Sequence, residues 1–273
     1  MVEGTSGNTE GTVASEKQEL VGGSRARSDP HQVIPLPEQS VAVIGASSGI
    51  GRATAAAFLD AGSAVALMAR REALLQELLQ ERRPRGERAF ARGGDATRRE
   101  DVASFLTEAV RRVGRIDVLV ISVGLNIRAR TLQEISAEDW DRVLATNRTS
   151  AFHCTQCILP QLHRQGGGLI IYISSVSALL GDASGPAYQA AKHGLSGLVA
   201  ALRQEETDRR IRTSIIFPGV VNTPLLLHRP VVPSPEQRAI ALQPEEVAQA
   251  CLFIARMPPA VTIPELVLRP TLP

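Results

Sequence analysis

VAVIGASSGIG, from Val41 to Gly51, joins a short apolar run to a turn rich in glycine and serine. The run from Val41 to Ile44 has the length and composition of a buried strand, and the small residues that follow, RATAAAFLDAG, are typical of a helix. Glycines between a strand and a helix let a phosphate group approach the backbone, where the helix N-terminus offers free N–H groups. The spacing, Gly-x-x-x-Gly-x-Gly, differs from the Gly-x-Gly-x-x-Gly fingerprint. The stretch therefore predicts a strand, turn and helix suited to a dinucleotide.

Length and composition favour one large α/β domain. The chain has 273 residues, of which 44% are hydrophobic and 21% are charged, and this is enough to bury a substantial core. Residues 1–37 are rich in Gly, Ser, Glu and Arg and show no periodicity, so we expect them to form a disordered leader. The domain is then expected to cover residues 38–273.

Charge and hydropathy exclude several kinds of partner. The net charge is +2 and acids are interleaved with the arginines, which does not indicate a nucleic-acid binder. No apolar run approaches the roughly 18 residues of a membrane-spanning helix. The N-terminal stretch carries acids and lacks both an apolar signal core and the Arg-rich character of a transit peptide. We therefore expect no nucleic-acid partner, no membrane span and a cytoplasmic location.

Cysteine usage does not indicate a disulfide framework or a metal site. Cys154 and Cys157 form a Cys-x-x-Cys pair, and Cys251 is the third cysteine. The pair falls inside a helical pattern, and the sequence has no second pair to complete a zinc site. We interpret these cysteines as small apolar side chains of a helix, and we predict no metal.

The stretch from Ser175 to Lys192, SVSALLGDASGPAYQAAK, contains candidate catalytic groups. If Pro186 opens a helix, Tyr188 and Lys192 lie one turn apart on the same face. A free tyrosine ionises near pH ~10, and a nearby cation favours its phenolate, so we expect Lys192 to lower the pKa of Tyr188. Ser175 follows the apolar run LIIYIS and could bond the same substrate oxygen, although Ser174 and Ser177 are rivals. A Tyr-x-x-x-Lys pair is also compatible with an ordinary helix surface.

The glycine turn, Ser175, Tyr188 and Lys192 together resemble the short-chain dehydrogenase/reductase family. The resemblance covers roughly residues 39–270. It implies a Rossmann-like doubly wound parallel sheet with helices on both faces, in a single domain. It also implies hydride transfer between NAD(P) and a carbonyl or alcohol, with Tyr188 as the general acid or base and Ser175 holding the reacting oxygen. Lys192 would also bind the nicotinamide ribose.

The resemblance extends to further positions along the chain. Asn147, within a long helical pattern over residues 136–165 that we expect to kink at Pro160, matches a family residue that relays protons through water. The family usually has Asn-Asn-Ala-Gly after its fourth strand, here Ile116 to Ile121, whereas this chain has Ile121-Ser122-Val123-Gly124. That departure puts some stability or cofactor affinity in doubt.

The implied catalytic residues are Ser175, Tyr188, Lys192 and Asn147. The implied cofactor-binding residues are Gly45, Ser47, Ser48, Gly49, Ile50, Gly51, Arg70, Arg71, Asp95, Ala96, Gly124, Tyr188, Lys192, Pro218, Gly219, Val221 and Thr223.

Two arginines decide the expected cofactor. The position after the second strand faces the adenosine ribose, where an acid favours NAD and an arginine can hold a 2′-phosphate. Arg70 and Arg71 occupy this position. We therefore favour NADP(H), with NAD(H) possible if these arginines only begin the next helix.

The segment from Pro224 to Gln243 is expected to cover a small-molecule substrate. Its leucines and valines favour an apolar carbonyl or alcohol. Alternatives are a reductase of 3-oxoacyl thioesters carried by acyl-carrier protein or CoA, a non-catalytic NADP-binding regulator, and a methyltransferase on a similar sheet. By the same resemblance we expect a homodimer or homotetramer.

Overall fold

The computed structural model of the protein describes residues 1, 29–82 and 88–271. The described chain forms one seven-stranded sheet in the order β3-β2-β1-β4-β5-β6-β7. Every neighbouring pair of strands is parallel. The strands are β1 Ser40–Ile44, β2 Ala64–Ala69, β3 Ala89–Gly93, β4 Val118–Ile121, β5 Gly168–Ile173, β6 Ile211–Pro218 and β7 Glu265–Leu268.

Helices cover both faces of this sheet, which confirms the predicted doubly wound α/β fold. The helices are α1 Gly49–Asp60, α2 Glu72–Arg82, α3 Arg99–Val113, α4 Ala137–Leu144, α5 Ser150–Gln165, α6 Pro186–Glu205, α7 Pro235–Ile240 and α8 Pro244–Ala255. Side chains of α1, α2 and α8 form the core on one face. Side chains of α3, α5 and α6 form the core on the other.

Strand β1 shows why the central strands are almost wholly apolar. Val41 and Val43 point into the core of α1, α2 and α8. Ala42 and Ile44 point into the opposite core. Because side chains alternate along a strand and both faces are covered, neither set can be polar.

The strand order reverses between β1 and β4. The chain leaves β1 toward β2 and β3 on one side, and later continues from β4 to β7 on the other. Such a switch point leaves a crevice at the carboxyl ends of the strands, where open α/β sheets bind ligands. The glycine turn after β1 lies at this crevice.

Most of the predicted leader lies outside the described residues, but residues 29–37 contact the domain. Leu36 is buried, and its carbonyl oxygen accepts a 2.7 Å hydrogen bond from Ser63 Oγ. The backbone N–H of Ala260 donates to the carbonyl of Pro30 at 2.8 Å. This part of the segment is therefore packed, which composition alone did not indicate.

The helical pattern over residues 136–165 folds as α4 and α5 joined by a π-helical turn, Ala145–Thr149. The interruption therefore lies at the turn that contains Asn147. At Pro160, where we expected a kink, α5 continues without ending. Within the described part of the chain, no helix has the length and apolarity to span a membrane.

Gly45 is the glycine on which the crevice depends. Its φ is +92°, and a Cβ at this position would overlap the carbonyl oxygen of Ser122 at the end of β4. Gly114 has a similar φ of +85°, but an added Cβ there would meet no atom within 4 Å. A comparison of substitutions at the two glycines therefore distinguishes the cost of backbone strain from the cost of steric overlap.

We predict that Gly114→Ala lowers the free energy of unfolding by about 1 kcal/mol, the cost of a left-handed backbone alone. Gly45→Ala should cost about 3 kcal/mol or more, because β1 and β4 must also move apart. Urea unfolding followed by circular dichroism measures both. Equal losses would show that the close approach of Gly45 to Ser122 is unimportant.

Candidate functional site

A cleft of about 480 Å³ opens at the carboxyl ends of β1, β2, β4 and β5. This volume is in the range of small-molecule and cofactor sites. A larger groove of about 620 Å³ between α1 and α8 contains neither Tyr188 nor Lys192. The predicted site residues that line the carboxyl-end cleft are Gly45, Ser47, Ser48, Gly49, Ile50, Arg70, Arg71, Asp95, Ala96, Gly124, Tyr188, Lys192 and Thr223.

The turn between β1 and α1 has the backbone that a phosphate site requires. Gly49 is the first residue of α1 and has a φ of +53°. A Cβ at Gly51 would overlap the carbonyl oxygen of Gly45, so Gly51 serves the packing of the turn and does not line the cleft. The first N–H groups of α1 have no helical partners and can bind an anion. The turn therefore fits a dinucleotide.

Arg70 and Arg71 lie at the end of β2, beside this turn. Arg71 Nη2 donates to Ser47 Oγ at 3.0 Å and to Ser48 Oγ at 2.8 Å. Asp95 lies across the cleft, but its Oδ1 accepts hydrogen bonds from the backbone and hydroxyl of Thr97. The arginines therefore make this end of the cleft positive.

The chain brings Tyr188 and Lys192 together as the sequence predicted. Pro186 begins α6 after Gly185, whose φ is +89°. Lys192 Nζ lies 5.6 Å from the centroid of the Tyr188 ring and donates to the carbonyl of Ile173, at the end of β5, at 3.1 Å. This bond fixes the amine of α6 to the edge of the sheet.

Burial shifts the pKa values of both groups. Tyr188 packs with Ile127, Val143 and Ala187, and burial raises the pKa of Tyr188 to about 12 while a hydrogen bond with Ser175 opposes this shift. Burial also lowers the pKa of Lys192 to about 8. We expected the Lys192 cation to lower the pKa of Tyr188. That expectation was wrong for this structure, because desolvation is the larger effect.

Ser175 is oriented by a short chain of hydrogen bonds that the sequence did not reveal. Ser175 Oγ donates to Ser177 Oγ at 3.1 Å, and Ser177 Oγ donates to Asp182 Oδ2 at 2.6 Å. Asp182 Oδ1 accepts from the backbone N–H of Ser184 at 2.8 Å. Ser177 thus supports Ser175, and the rival Ser174 has a buried hydroxyl without a partner among the described residues. The only sequence signal for Asp182 was its turn-forming position two residues before Ser184.

Asn147 holds the segment that follows β4. Its Oδ1 accepts from the backbone N–H of Leu125 at 3.2 Å, while Nδ2 donates to the carbonyls of Leu125 and Val143, each at 2.8 Å. Gly124 lies against it, since a Cβ there would be 3.4 Å from Asn147 Oδ1. The side chain of Asn147 therefore fixes Leu125 and Val143, and both of its N–H donors are in use.

The segment from Pro218 to Thr223 contributes only its end to the cleft. The backbone N–H of Gly219 donates to Leu268 at 2.7 Å, and Val221 pairs with Leu242. Thr223 lines the cleft, while Pro218, Gly219 and Val221 do not. These three residues therefore support the cleft from behind.

The Cys-x-x-Cys pair lies in α5. Burial raises the pKa of Cys154 and, to a smaller extent, that of Cys157, so both thiols stay protonated at neutral pH. No group of three or more His, Cys, Asp or Glu side chains suited to a metal occurs among residues 29–82 and 88–271.

Comparison with known proteins assigns the family. A family model described as short chain dehydrogenase matches residues 39–229 of this chain. The chain belongs to the short-chain dehydrogenase/reductase family. This membership makes it an oxidoreductase and excludes the methyltransferase alternative.

Individual relatives cover most of the chain. It is 32% identical over 222 residues to a 3-oxoacyl-(acyl-carrier-protein) reductase of Thermotoga maritima, covering 78% of this chain and 88% of the relative. It is 30% identical over 214 residues to a cyclohexanol dehydrogenase of Acinetobacter sp., covering 78% and 85%. An alcohol dehydrogenase from Thermococcus sibiricus, solved with 5-hydroxy-NADP, is similar with a TM-score of 0.75 and 30% identity, covering 85% of this chain and 97% of that one.

Burial of Lys192 predicts that stability depends on pH, whereas burial of Tyr188 predicts no dependence below the ordinary tyrosine pKa. The unfolded Lys192 titrates near 10.5 and the folded one near 8, so the unfolded chain binds more protons between these values and stability rises with pH there. Relative to Lys192→Met, the wild-type free energy of unfolding should rise by about 2 kcal/mol between about pH 7.5 and pH 9.5.

Tyr188→Phe is the matched control. The phenol is protonated in both states up to the ordinary tyrosine pKa, because burial raises the folded value to about 12. The difference between wild type and Tyr188→Phe should therefore stay constant over the same pH range. A constant difference for Lys192→Met as well would contradict the burial of a titrating amine.

Proposed function

We propose that this protein interconverts an alcohol and a ketone or aldehyde with NADP(H), and that Tyr188 is the general acid or base. The observation that carries the proposal is the convergence of Tyr188 and Lys192 beside the glycine turn, with Ser175 bonded to Tyr188. Tyr188 and Lys192 share the cleft with Gly45 and Gly49. The hydroxyl of Ser175 reaches Tyr188 from the turn after β5.

The geometry favours a clear division of roles in the reductive direction. Tyr188 is protonated at neutral pH, as an ordinary tyrosine is, and burial raises its pKa further to about 12, so it can donate its phenolic proton to the carbonyl oxygen. Ser175, oriented by Ser177 and Asp182, donates a hydrogen bond to that oxygen as negative charge develops on it. When bound, the nicotinamide supplies the hydride. In oxidation each proton transfer runs in reverse.

Lys192 and Asn147 support this exchange. Lys192 holds its amine at the end of β5, within reach of the cleft, where it can bind ribose hydroxyls. Its pKa of about 8 leaves the amine mostly protonated at neutral pH, and this cation stabilises negative charge on the Tyr188 oxygen as the proton leaves. Asn147 fixes Leu125 and so maintains the wall of the cleft after β4.

The preference for NADP(H) over NAD(H) rests on Arg70 and Arg71. Both guanidinium groups line the cleft, and Arg71 already bonds two hydroxyls of the glycine turn. A planar guanidinium suits a phosphate, and no acid takes the position that would accept from a ribose 2′-OH. The Thermococcus sibiricus relative, solved with 5-hydroxy-NADP, supports the same preference.

A small apolar carbonyl or alcohol is the favoured substrate. Leu225 lines the cleft, Leu226 is buried beside it and Leu227 is partly exposed, so the covering segment presents apolar side chains.

A reductase of 3-oxoacyl thioesters is the second candidate, favoured by the identity to the Thermotoga maritima enzyme. Turnover of free ketones and of acyl-CoA thioesters, measured side by side, decides between them. If neither is turned over while NADPH binds, the protein is instead an NADP-binding regulator.

A homodimer or homotetramer and a cytoplasmic location stay predictions for this chain. Light scattering after size exclusion measures the first, and cell fractionation with an antibody to the native protein measures the second.

Tyr188→Phe should lower kcat by about 10²- to 10⁴-fold, since it removes the proton donor. NADPH binding should be retained, because the ring that contacts the cleft remains. Tyr172→Phe is the matched control: Tyr172 is the other tyrosine of the chain and bonds Thr155 inside the core at 2.8 Å. Unchanged turnover of Tyr188→Phe, measured by loss of NADPH absorbance, would remove Tyr188 from the mechanism.

Arg71→Ala should weaken NADPH binding by about 10- to 100-fold, as expected for loss of a charge-assisted bond to a phosphate. NADH binding should change much less, because NADH lacks the 2′-phosphate. Arg92→Ala removes a positive charge outside the cleft, where Arg92 bonds Ser104, and controls for net charge. Fluorescence titration of wild type and both variants with NADPH and NADH measures the six dissociation constants. Equal weakening for NADPH and NADH would contradict the proposed phosphate contact.

A further inference from the structure

Arg130 is a buried cation in the segment between β4 and α4. Only 6% of its surface is exposed. Its Nε donates to the carbonyl of Ile127 at 2.8 Å, and its Nη2 donates to the carbonyl of His228, in the segment that covers the cleft, at 2.7 Å. A guanidinium has five N–H donors, so these two bonds leave three unused, including both on Nη1.

The charge of Arg130 is not neutralised by the described chain. Within residues 29–82 and 88–271, no carboxylate lies at ion-pair distance from it. Asp182 acts on Arg130 only from a distance, and its oxygens already accept bonds from Ser177 and Ser184. Burying a charge without a counter-charge is costly, so such groups generally pair with an anion.

Arg130 also lies beside the proposed catalytic tyrosine. A Cβ added at Gly185, directly before α6, would be 2.5 Å from the Arg130 carbonyl oxygen and 2.8 Å from its Cβ. Tyr188 is on the first turn of that helix. The charges of Arg229 and Arg130 both favour the Tyr188 phenolate, and Arg229 in turn opposes the charge on Arg130. Two cations therefore act on the same end of the site.

We propose that Arg130, assisted by Arg229, binds a carboxylate group of the substrate. The unused N–H groups of Nη1 and Nη2 form an end-on fork, which matches the two oxygens of a carboxylate. This inference rests on the proposed dehydrogenase function and changes its favoured substrate from a wholly apolar molecule to an oxo acid or hydroxy acid with an apolar body. The leucines of the covering segment then contact the apolar body of the substrate, and its anionic end reaches Arg130.

The experiment compares each oxo acid with its own methyl ester. A series from 3-oxobutanoate to 6-oxoheptanoate varies the distance between the carbonyl and the carboxylate, and each ester removes only the charge. For the acid of the right length, kcat/KM with NADPH should exceed that of its ester by about 10- to 100-fold, the range of a charge-assisted bidentate contact.

Three variants separate anion binding from a merely structural role. Arg130→Gln should remove most of the acid-over-ester ratio, and Arg130→Lys should keep part of it because the charge remains. Arg128→Gln is the matched control: Arg128 donates to the neighbouring carbonyl of Leu227 at 3.4 Å but is exposed, so its loss should leave the ratio where it was. If Arg130 only held the covering segment, Arg130→Gln would lower kcat/KM for acid and ester alike, and this result would overturn the inference.

A binding measurement distinguishes failure of the inference from failure of the proposed function. Calorimetry with the NADP⁺-loaded protein measures the affinity for each oxo acid and its ester without turnover. Acid binding that depends on Arg130 but leads to no NADPH oxidation would reject the proposed dehydrogenase and keep the anion site. Turnover of esters and acids with equal kcat/KM would reject the anion site and keep the dehydrogenase.

Discussion

The burial of a phenol and an amine one helical turn apart is the constraint on which the site depends. Tyr188 and Lys192 are almost wholly withdrawn from water on the first turns of α6. Desolvation keeps the phenol protonated and brings the pKa of Lys192 down to about 8. With that pKa Lys192 is still mostly cationic at neutral pH, and a negatively charged ligand in the cleft would favour its charged form further. The pKa of Lys192 is therefore coupled to occupancy of the cleft.

Close backbone packing at the switch point makes room for that cleft. Gly45 and Gly51 pack against backbone atoms where a side chain would overlap them. The family's usual asparagines are absent after β4. The segment that follows β4 is held instead by Asn147, which bonds both backbone groups of Leu125. Asn147 lies in the π-helical turn between α4 and α5. This irregular turn therefore helps to define the shape of the cleft.

Positive charge is placed at two separate points of the site. Arg70 and Arg71 lie beside the glycine turn, where phosphate is expected, and Arg130 and Arg229 act on Tyr188 at the other end. Arg71 is exposed and can rearrange at little cost, whereas burial leaves Arg130 desolvated without a counter-charge. A substrate carboxylate would offset that cost.

The sequence by itself determined the parallel sheet, the glycine turn, the pairing of Tyr188 with Lys192 and the family. The glycine turn and the Tyr188–Lys192 pair follow from short spacing, while the parallel sheet and the family were expected from the resemblance that these motifs carry. Only the tertiary structure decided the protonation of Tyr188, the path from Ser175 to Asp182, the packing of residues 29–37 and the approach of Arg130 to α6. These depend on desolvation and on contacts between distant segments, and neither is encoded in any single window of residues. The sequence did not reveal the direction of the Tyr188 pKa shift for this reason. Spacing gives the distance between Lys192 and Tyr188 but not the dielectric around them.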